Sequence, residues 1–216
     1  MPRDTLKLTS KIKLLKAAQG LFAAKGFRDV SVREIAAAAR VNSALVGYYF
    51  GGKQALFNEV YRAQAMPLAG ERMRQLEAVT RNRHKPSVEE ILKAWLLPWL
   101  RLGSEQGESA LHLRMTANIS RERWMHARAA LPAADRTHAA FVKALRRCLP
   151  HLTREEVIWR LHFLTGAFTF GVRVPGALTA LSRGRCNPND LEEVLRQMLP
   201  FAVAGFCAPA PSRGRR

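Results

Sequence analysis

Residues 30–53, VSVREIAAAARVNSALVGYYFGGK (Val30 to Lys53), decide how this chain is read. Ser31 and Glu34 are spaced as an S-x-x-E capping box, in which each side chain satisfies a backbone amide at a helix start. Val30 before the cap and Ile35 after it stand where a hydrophobic staple would sit. The same grammar repeats around Asn42, a good N-cap, with Val41 before it and Val46 four residues beyond it. Two short capped helices joined by so brief a turn pack as a helix-turn-helix.

The faces of the second helix agree. At roughly 100° per residue, Ser43, Ala44, Gly47 and Tyr48 share one side while Val46 and Phe50 point the other way. The first side is small and polar with one aromatic ring, a surface suited to the major groove of duplex DNA. The second is apolar and suited to packing on preceding helices. Helical spacing by itself also admits two ordinary helices of an all-α core, with Tyr48 half-buried.

Working outward, KAAQGLFAAKGFRDVSVREIAAAARVNSALVGYYFGGKQALFNEV carries a longer set of landmarks. These are Ala18, Leu21, Phe22, Gly26, Phe27, Ser31, Ile35, Ala36, Val41, Tyr48, Phe50, Lys53, Leu56 and Phe57. In that order and without a gap, the stretch resembles the N-terminal DNA-binding domain of TetR-family transcriptional regulators. The resemblance covers residues 11 to 61. It implies that Arg33, Ser43, Ala44, Gly47 and Tyr48 face base edges and that Ser31, Tyr49 and Lys53 hold phosphates. Three positions depart from the family pattern. Arg40 replaces the usual turn glycine and predicts a left-handed backbone at a residue with a side chain. Gly47 replaces a common aromatic of the recognition helix, and Tyr49 a frequent histidine.

Charge is consistent with a polyanionic partner but does not locate it. The chain of 216 residues has a formal net charge of +18. Residues 1–62 carry 11 basic and 4 acidic side chains, residues 63–150 carry 15 and 8, and residues 151–216 carry 9 and 5. The excess per residue is greatest at the N-terminal head, yet the body is basic too.

The periodicity predicts an all-α chain of nine helices and no strands, a TetR-like architecture with a three-helix helix-turn-helix head and a helical-bundle body. Residues 1–62 form the head, 63–207 an effector-binding and dimerisation body, and 208–216 a disordered basic tail. Helix 1 spans about Ser10 to Lys25, with Ile12, Leu15, Ala18 and Phe22 inward. A long helix runs from after Gly51-Gly52 to about Val79, kinked at Pro67. Others follow at about Val88–Leu102, Glu108–Ile119, Pro132–Leu149, Arg154–Val174 and Pro188–Phe206.

Two groups stand out in the body. Arg154–Val174 is apolar on more than one side, and the last helix adds a stripe of Leu191, Val194, Leu195 and Met198. The pair resembles the two helices that dimerise TetR-family proteins, which implies an interface of Val157, Ile158, Leu161, Phe168, Leu191, Val194, Leu195 and Met198. The second group is Trp95, Trp99, His112, Met115, Trp124, Phe141, Trp159, His162 and Phe163. It fits an apolar effector pocket with a few polar groups, and it fits plain core equally well.

Other chemistry is poorly served. There is no glycine-rich phosphate loop or nucleophile elbow, and no serine or cysteine completes a triad with Asp135 and His138. No catalytic residue, metal site or cofactor is expected. Cys148, Cys186 and Cys207 are scattered and contain no C-x-x-C pair. No secretory signal is expected at the charged start, and the apolar stretch Leu161–Leu181 is broken by His162, Arg173 and Pro175, so no membrane span is expected. The expected protein is a cytoplasmic, nucleoid-associated bacterial homodimer. It would act as a repressor on a palindromic double-stranded DNA operator and be released by a small apolar effector. The alternative is an effector-independent, sequence-tolerant architectural DNA-binding protein.

Overall fold

Nine helices and no strands carry the residues described by this computed structural model, which are 3–81, 85–104, 132–173 and 175–210. They are α1 (Arg3–Lys25), α2 (Val32–Ala39), α3 (Ala44–Phe50), α4 (Lys53–Arg81) and α5 (Val88–Ser104). After these come α6 (Pro132–Cys148), α7 (Arg154–Arg173), α8 (Pro175–Leu181) and α9 (Leu191–Cys207). The all-α expectation holds. The helix expected at Glu108–Ile119 lies outside the described residues, whereas α8 was not expected. Pro175 reads as a stop because its ring blocks a preceding helix, but the same ring suits the first turn of a new one. The chain divides into two units. Residues up to Pro67 belong to the first, and Leu68–Ser104 with Ala133 onward belong to the second.

In the first unit, local hydrogen bonding defines the two short helices. The Glu34 N–H donates to Ser31 Oγ at 3.1 Å, which opens α2. The Lys25 ammonium, helped by the Ser31 backbone N–H, holds the Glu34 carboxyl below the usual carboxylate range. Its contribution to stability is therefore present at neutral pH and is lost as pH falls through that lowered value. At the far end Arg40 is left-handed, with φ 54° and ψ 47°. The Val41 N–H reaches Ala36 O and the Arg40 N–H reaches Ala37 O, each at 3.0 Å, the two bonds of a Schellman motif. Asn42 then accepts the Ala44 N–H on Oδ1 at 2.8 Å, so it caps α3 as its sequence position suggests. Gly51, with φ 76°, closes α3 by donating to Gly47 O at 2.8 Å.

These helices are held by one core of Leu14, Ala18, Phe22, Val30, Ile35, Ala39, Val46, Phe50, Leu56, Phe57 and Val60. Phe22, Phe27 and Phe57 form a triangle of rings with centroids 5.2–5.7 Å apart. On α1 the inner stripe differs from expectation. Leu14 is fully buried, Leu15 is half-buried and Ile12 is exposed. The helix also begins at Arg3, well before Ser10.

In the second unit α5 and α7 each pack on α9, and α8 packs on α7. Three of its helices start with the same device as α2. Ser87 and Glu90 exchange bonds of 3.1 and 2.7 Å before α5. Thr153 and Glu156 exchange bonds of 3.2 and 2.7 Å before α7. Asp190 accepts the Glu193 N–H at 3.0 Å before α9. The end of α9 is closed from α7 by the Arg160 guanidinium. It donates to the carbonyls of Gly205, Phe206, Ala208 and Pro209 at 2.6–3.0 Å. A cation there satisfies acceptors that the helix cannot and complements the negative end of its dipole.

Arg40 supplies a direct test of the local argument. A side chain in the left-handed region costs about 1 kcal/mol, and glycine is the residue that this cap prefers. Arg40→Gly is expected to raise the stability of the first unit by about 0.5–1 kcal/mol in urea unfolding. Unchanged or lower stability would contradict the strain assigned to this turn.

Candidate nucleic-acid interface

The second helix of the helix-turn-helix divides cleanly between core and solvent. Val46 and Phe50 are buried in the first unit's core, and Leu45 and Tyr49 pack against it half-buried. Ser43, Ala44, Gly47 and Tyr48 are exposed, with Tyr48 exposed by 69%. Its ring meets that of Tyr49 edge-on at 5.0 Å. A Cβ built on Gly47 meets nothing within 4 Å, so this face is open along its length. On α2, Arg33 is exposed as well. The result is a helix face with small side chains, no charge of its own and one aromatic reach, and α2 adds an exposed guanidinium that can bond two acceptors at once.

The residues expected at phosphates occupy three different settings. Ser31 is exposed, and its oxygen already accepts the Glu34 amide, which leaves the hydroxyl proton to donate outward. Tyr49 is half-buried between Tyr48 and Phe50, so its ring is fixed. Lys53, the first residue of α4, sits with its ammonium 4.3 Å from the centre of the Phe27 ring. The charge therefore lies over an aromatic face at a helix N-terminus, where backbone amides also favour an anion.

In the second unit, the six described residues of the nine grouped as a pocket fall into two settings. Trp95, Trp99 and Phe141 are buried, with Trp95 edge-on to Phe141 at 4.9 Å and Trp99 stacked on Phe168 at 4.8 Å. Trp159, His162 and Phe163 instead cluster on the exposed side of α7. His112, Met115 and Trp124 lie outside the described residues. A recess of about 460 Å³ on this unit lies elsewhere, lined by Val142, Lys143, Arg146, Arg147 and Arg154.

The residues expected between two copies likewise divide between the interior and the surface. Val157, Leu161 and Phe168 are buried within the unit. Ile158 is exposed, Val194, Leu195 and Met198 are half-buried, and the Leu191 side chain lies outside the described residues. The exposed apolar stripe of α7 is Trp159, Phe163 and Phe170, 59–63% exposed, with Phe201 of α9 at 70%. Both sides of α7 are apolar, so periodicity alone does not say which one turns inward.

One residue of this unit was not singled out at all. Arg72 on α4 is buried beneath Trp95 and Trp99, although Leu68, Arg72 and Leu76 recur every four residues along one buried stripe. A basic residue on an apolar stripe was the available signal.

Comparison with known proteins agrees with this geometry. Residues 14–60 match the family model described as bacterial regulatory proteins, tetR family. Residues 93–205 match the model of the tetracyclin repressor-like C-terminal domain. A probable HTH-type transcriptional regulator of Bacillus subtilis (strain 168), YttP, is 46% identical over 55 residues, 26% of this chain and 27% of that protein. The chain thus matches about a quarter of the length of that relative. Among solved structures, the fatty acid degradation regulator FadR from Bacillus halodurans is similar with a TM-score of 0.59 at 15% identity. That match covers 90% of this chain and 98% of FadR. NalD of Pseudomonas aeruginosa, the secondary repressor of the MexAB-OprM multidrug efflux pump, has a TM-score of 0.57 at 22% identity. It covers 92% of this chain and 97% of NalD. At these identities the structural likeness speaks for the fold alone. The two family models together cover head and body, and the chain belongs to the TetR family of bacterial regulatory proteins.

Proposed function

We propose that this chain is a homodimeric, sequence-specific DNA-binding repressor, acting on the chromosome in the bacterial cytoplasm. The observation that carries the reading is the open, uncharged face of α3 backed by a wholly buried one. Arg33, Ser43, Ala44, Gly47 and Tyr48 read base edges, and Ser31, Tyr49 and Lys53 set register on phosphates. Two copies place their α3 helices in successive major grooves about 34 Å apart, so the operator is palindromic. A small, mostly apolar molecule in the second unit releases the DNA by binding more tightly to a state that does not fit both half-sites.

Base readers and phosphate holders respond differently to substitution. Arg33→Ala is expected to relax preference at one base pair of each half-site, a loss of about 1–3 kcal/mol against the preferred base. Lys53→Ala is expected to weaken binding to all sequences alike and to make the salt slope shallower by about one unit. Both are read by binding-site selection and salt titration. A chain with a steep salt slope and no preferred sequence would instead be the effector-independent architectural protein.

The partner for the exposed stripe of α7 is a second copy. Trp159→Glu combined with Phe163→Glu places charge on a face that contributes nothing to the protomer's interior. The variant is expected to stay folded, to sediment as a monomer and to lose operator affinity by about a hundredfold or more, because simultaneous contact with two half-sites is lost. A dimer of unchanged stability would remove α7 from the interface.

A further inference from the structure

Arg72 is 6% exposed, yet among the described residues no carboxylate pairs with it. Its Nε–H donates to the carbonyl of Trp95 at 2.9 Å. The guanidinium carbon lies 3.6 Å from the centre of the Trp95 ring and 4.7 Å from that of Trp99. Burial pushes its pKa down to about 9, which still leaves a cation at neutral pH. The indole faces offset part of the lost hydration, but the hydrogen-bonding account does not close. Among the described residues, Arg72 Nη2 and the Nε1 atoms of both Trp95 and Trp99 are buried without a partner. Buried polar groups are ordinarily satisfied, and a group of three that are not calls for a specific explanation.

All three orphaned atoms are donors. Arginine and tryptophan side chains have no acceptor to offer one another, so nothing within the group can complete it. What completes it must accept hydrogen bonds, and negative charge there would also offset the buried guanidinium, which has no counter-charge among the described residues. The planar fork of a guanidinium matches a planar carboxylate. Around the polar group the lining is apolar, with Phe141 edge-on to Trp95 and Phe168 stacked on Trp99. The imidazole of His138 meets the Trp95 ring edge-on at 4.8 Å.

We propose that Arg72, with the indole N–H groups of Trp95 and Trp99, anchors the carboxylate of a small, otherwise apolar effector. This rests on the reading of the second unit as effector-binding and narrows the effector from an apolar molecule to an apolar acid. The rings pack closely on the guanidinium, so a headgroup enters by displacing an indole, and tryptophan fluorescence reads that movement directly.

The test uses the full chain and matched pairs of probes, octanoate against octanamide and phenylacetate against phenylacetamide. Fluorescence titration and thermal unfolding are followed together, since a ligand of the folded state raises the melting temperature. Each acid is expected to bind about tenfold or more tightly than its amide, because charge-assisted bonds are roughly twice as strong as neutral ones. Arg72→Met is expected to reduce that preference to about one, while Arg72→Lys retains part of it. If Arg72 served packing alone, Arg72→Met would shift the melting temperature without ligand and leave the preference intact, overturning the proposal. Should that variant fail to fold, Trp99→Phe, which removes one N–H and keeps a ring, carries the test, and an unchanged acid preference there overturns the proposal too. Equal binding of acids and amides by the natural chain, or tighter binding of octyl phosphate than octanoate, refutes the carboxylate anchor and leaves the effector reading standing. If neither acids nor amides stabilise the chain, the anchor and the effector reading of these tryptophans fall together.

Discussion

Helices of eight and seven residues cannot stand alone in water, because a nucleus of fixed dihedral angles is repaid by too few hydrogen bonds. The first unit depends on relieving that constraint from outside. Ile35, Ala36 and Ala39 of α2 and Val46 and Phe50 of α3 give their whole inner faces to a core closed by α1 and α4. Caps at both ends of α2 and at the start of α3 then fix where each helix begins and stops. The exposed face of α3 inherits its order from side chains it does not contain. From α4, Leu56, Phe57 and Val60 complete this core.

The second unit shows the opposite treatment of two arginines. Arg160 spends both terminal nitrogens on carbonyls that the end of α9 leaves open, and each hydrogen bond removes an acceptor that would otherwise face water. Arg72 is more deeply buried and makes one backbone bond. A buried charge without a counter-charge is among the costliest features a core can contain. Local packing accounts for Arg160 completely and for Arg72 only in part.

How far the sequence could be read followed from how local each signal is. The Ser31–Glu34 box, the left-handed Arg40 and the Asn42 cap depend on residues within four positions of one another, and the structure has all three. The same grammar stands before α5, α7 and α9 in Ser87–Glu90, Thr153–Glu156 and Asp190–Glu193, where it marks helix starts more sharply than hydrophobic periodicity does. Faces were less legible. On α7 the period places Val157 with Leu161 and Trp159 with Phe163, but burial depends on α9, which is remote in sequence. Trp159, His162 and Phe163 were therefore grouped with Trp95 and Trp99, from which the structure separates them. Arg72 was passed over because a basic residue on an amphipathic helix usually belongs to the solvated side.

Gly47 sits in the middle of α3 with nothing within 4 Å of where a side chain would begin. Its backbone is ordinary helix rather than a conformation reserved for glycine. A residue with a Cβ can therefore stand there without meeting the core, and most except proline would improve the helix by up to about 1 kcal/mol. Together with Ser43, Ala44 and Tyr48, it gives the chain an exposed surface whose side chains are separable from its folding. Substitution on that surface can therefore change what the helix presents to solvent while the fold beneath it stays the same.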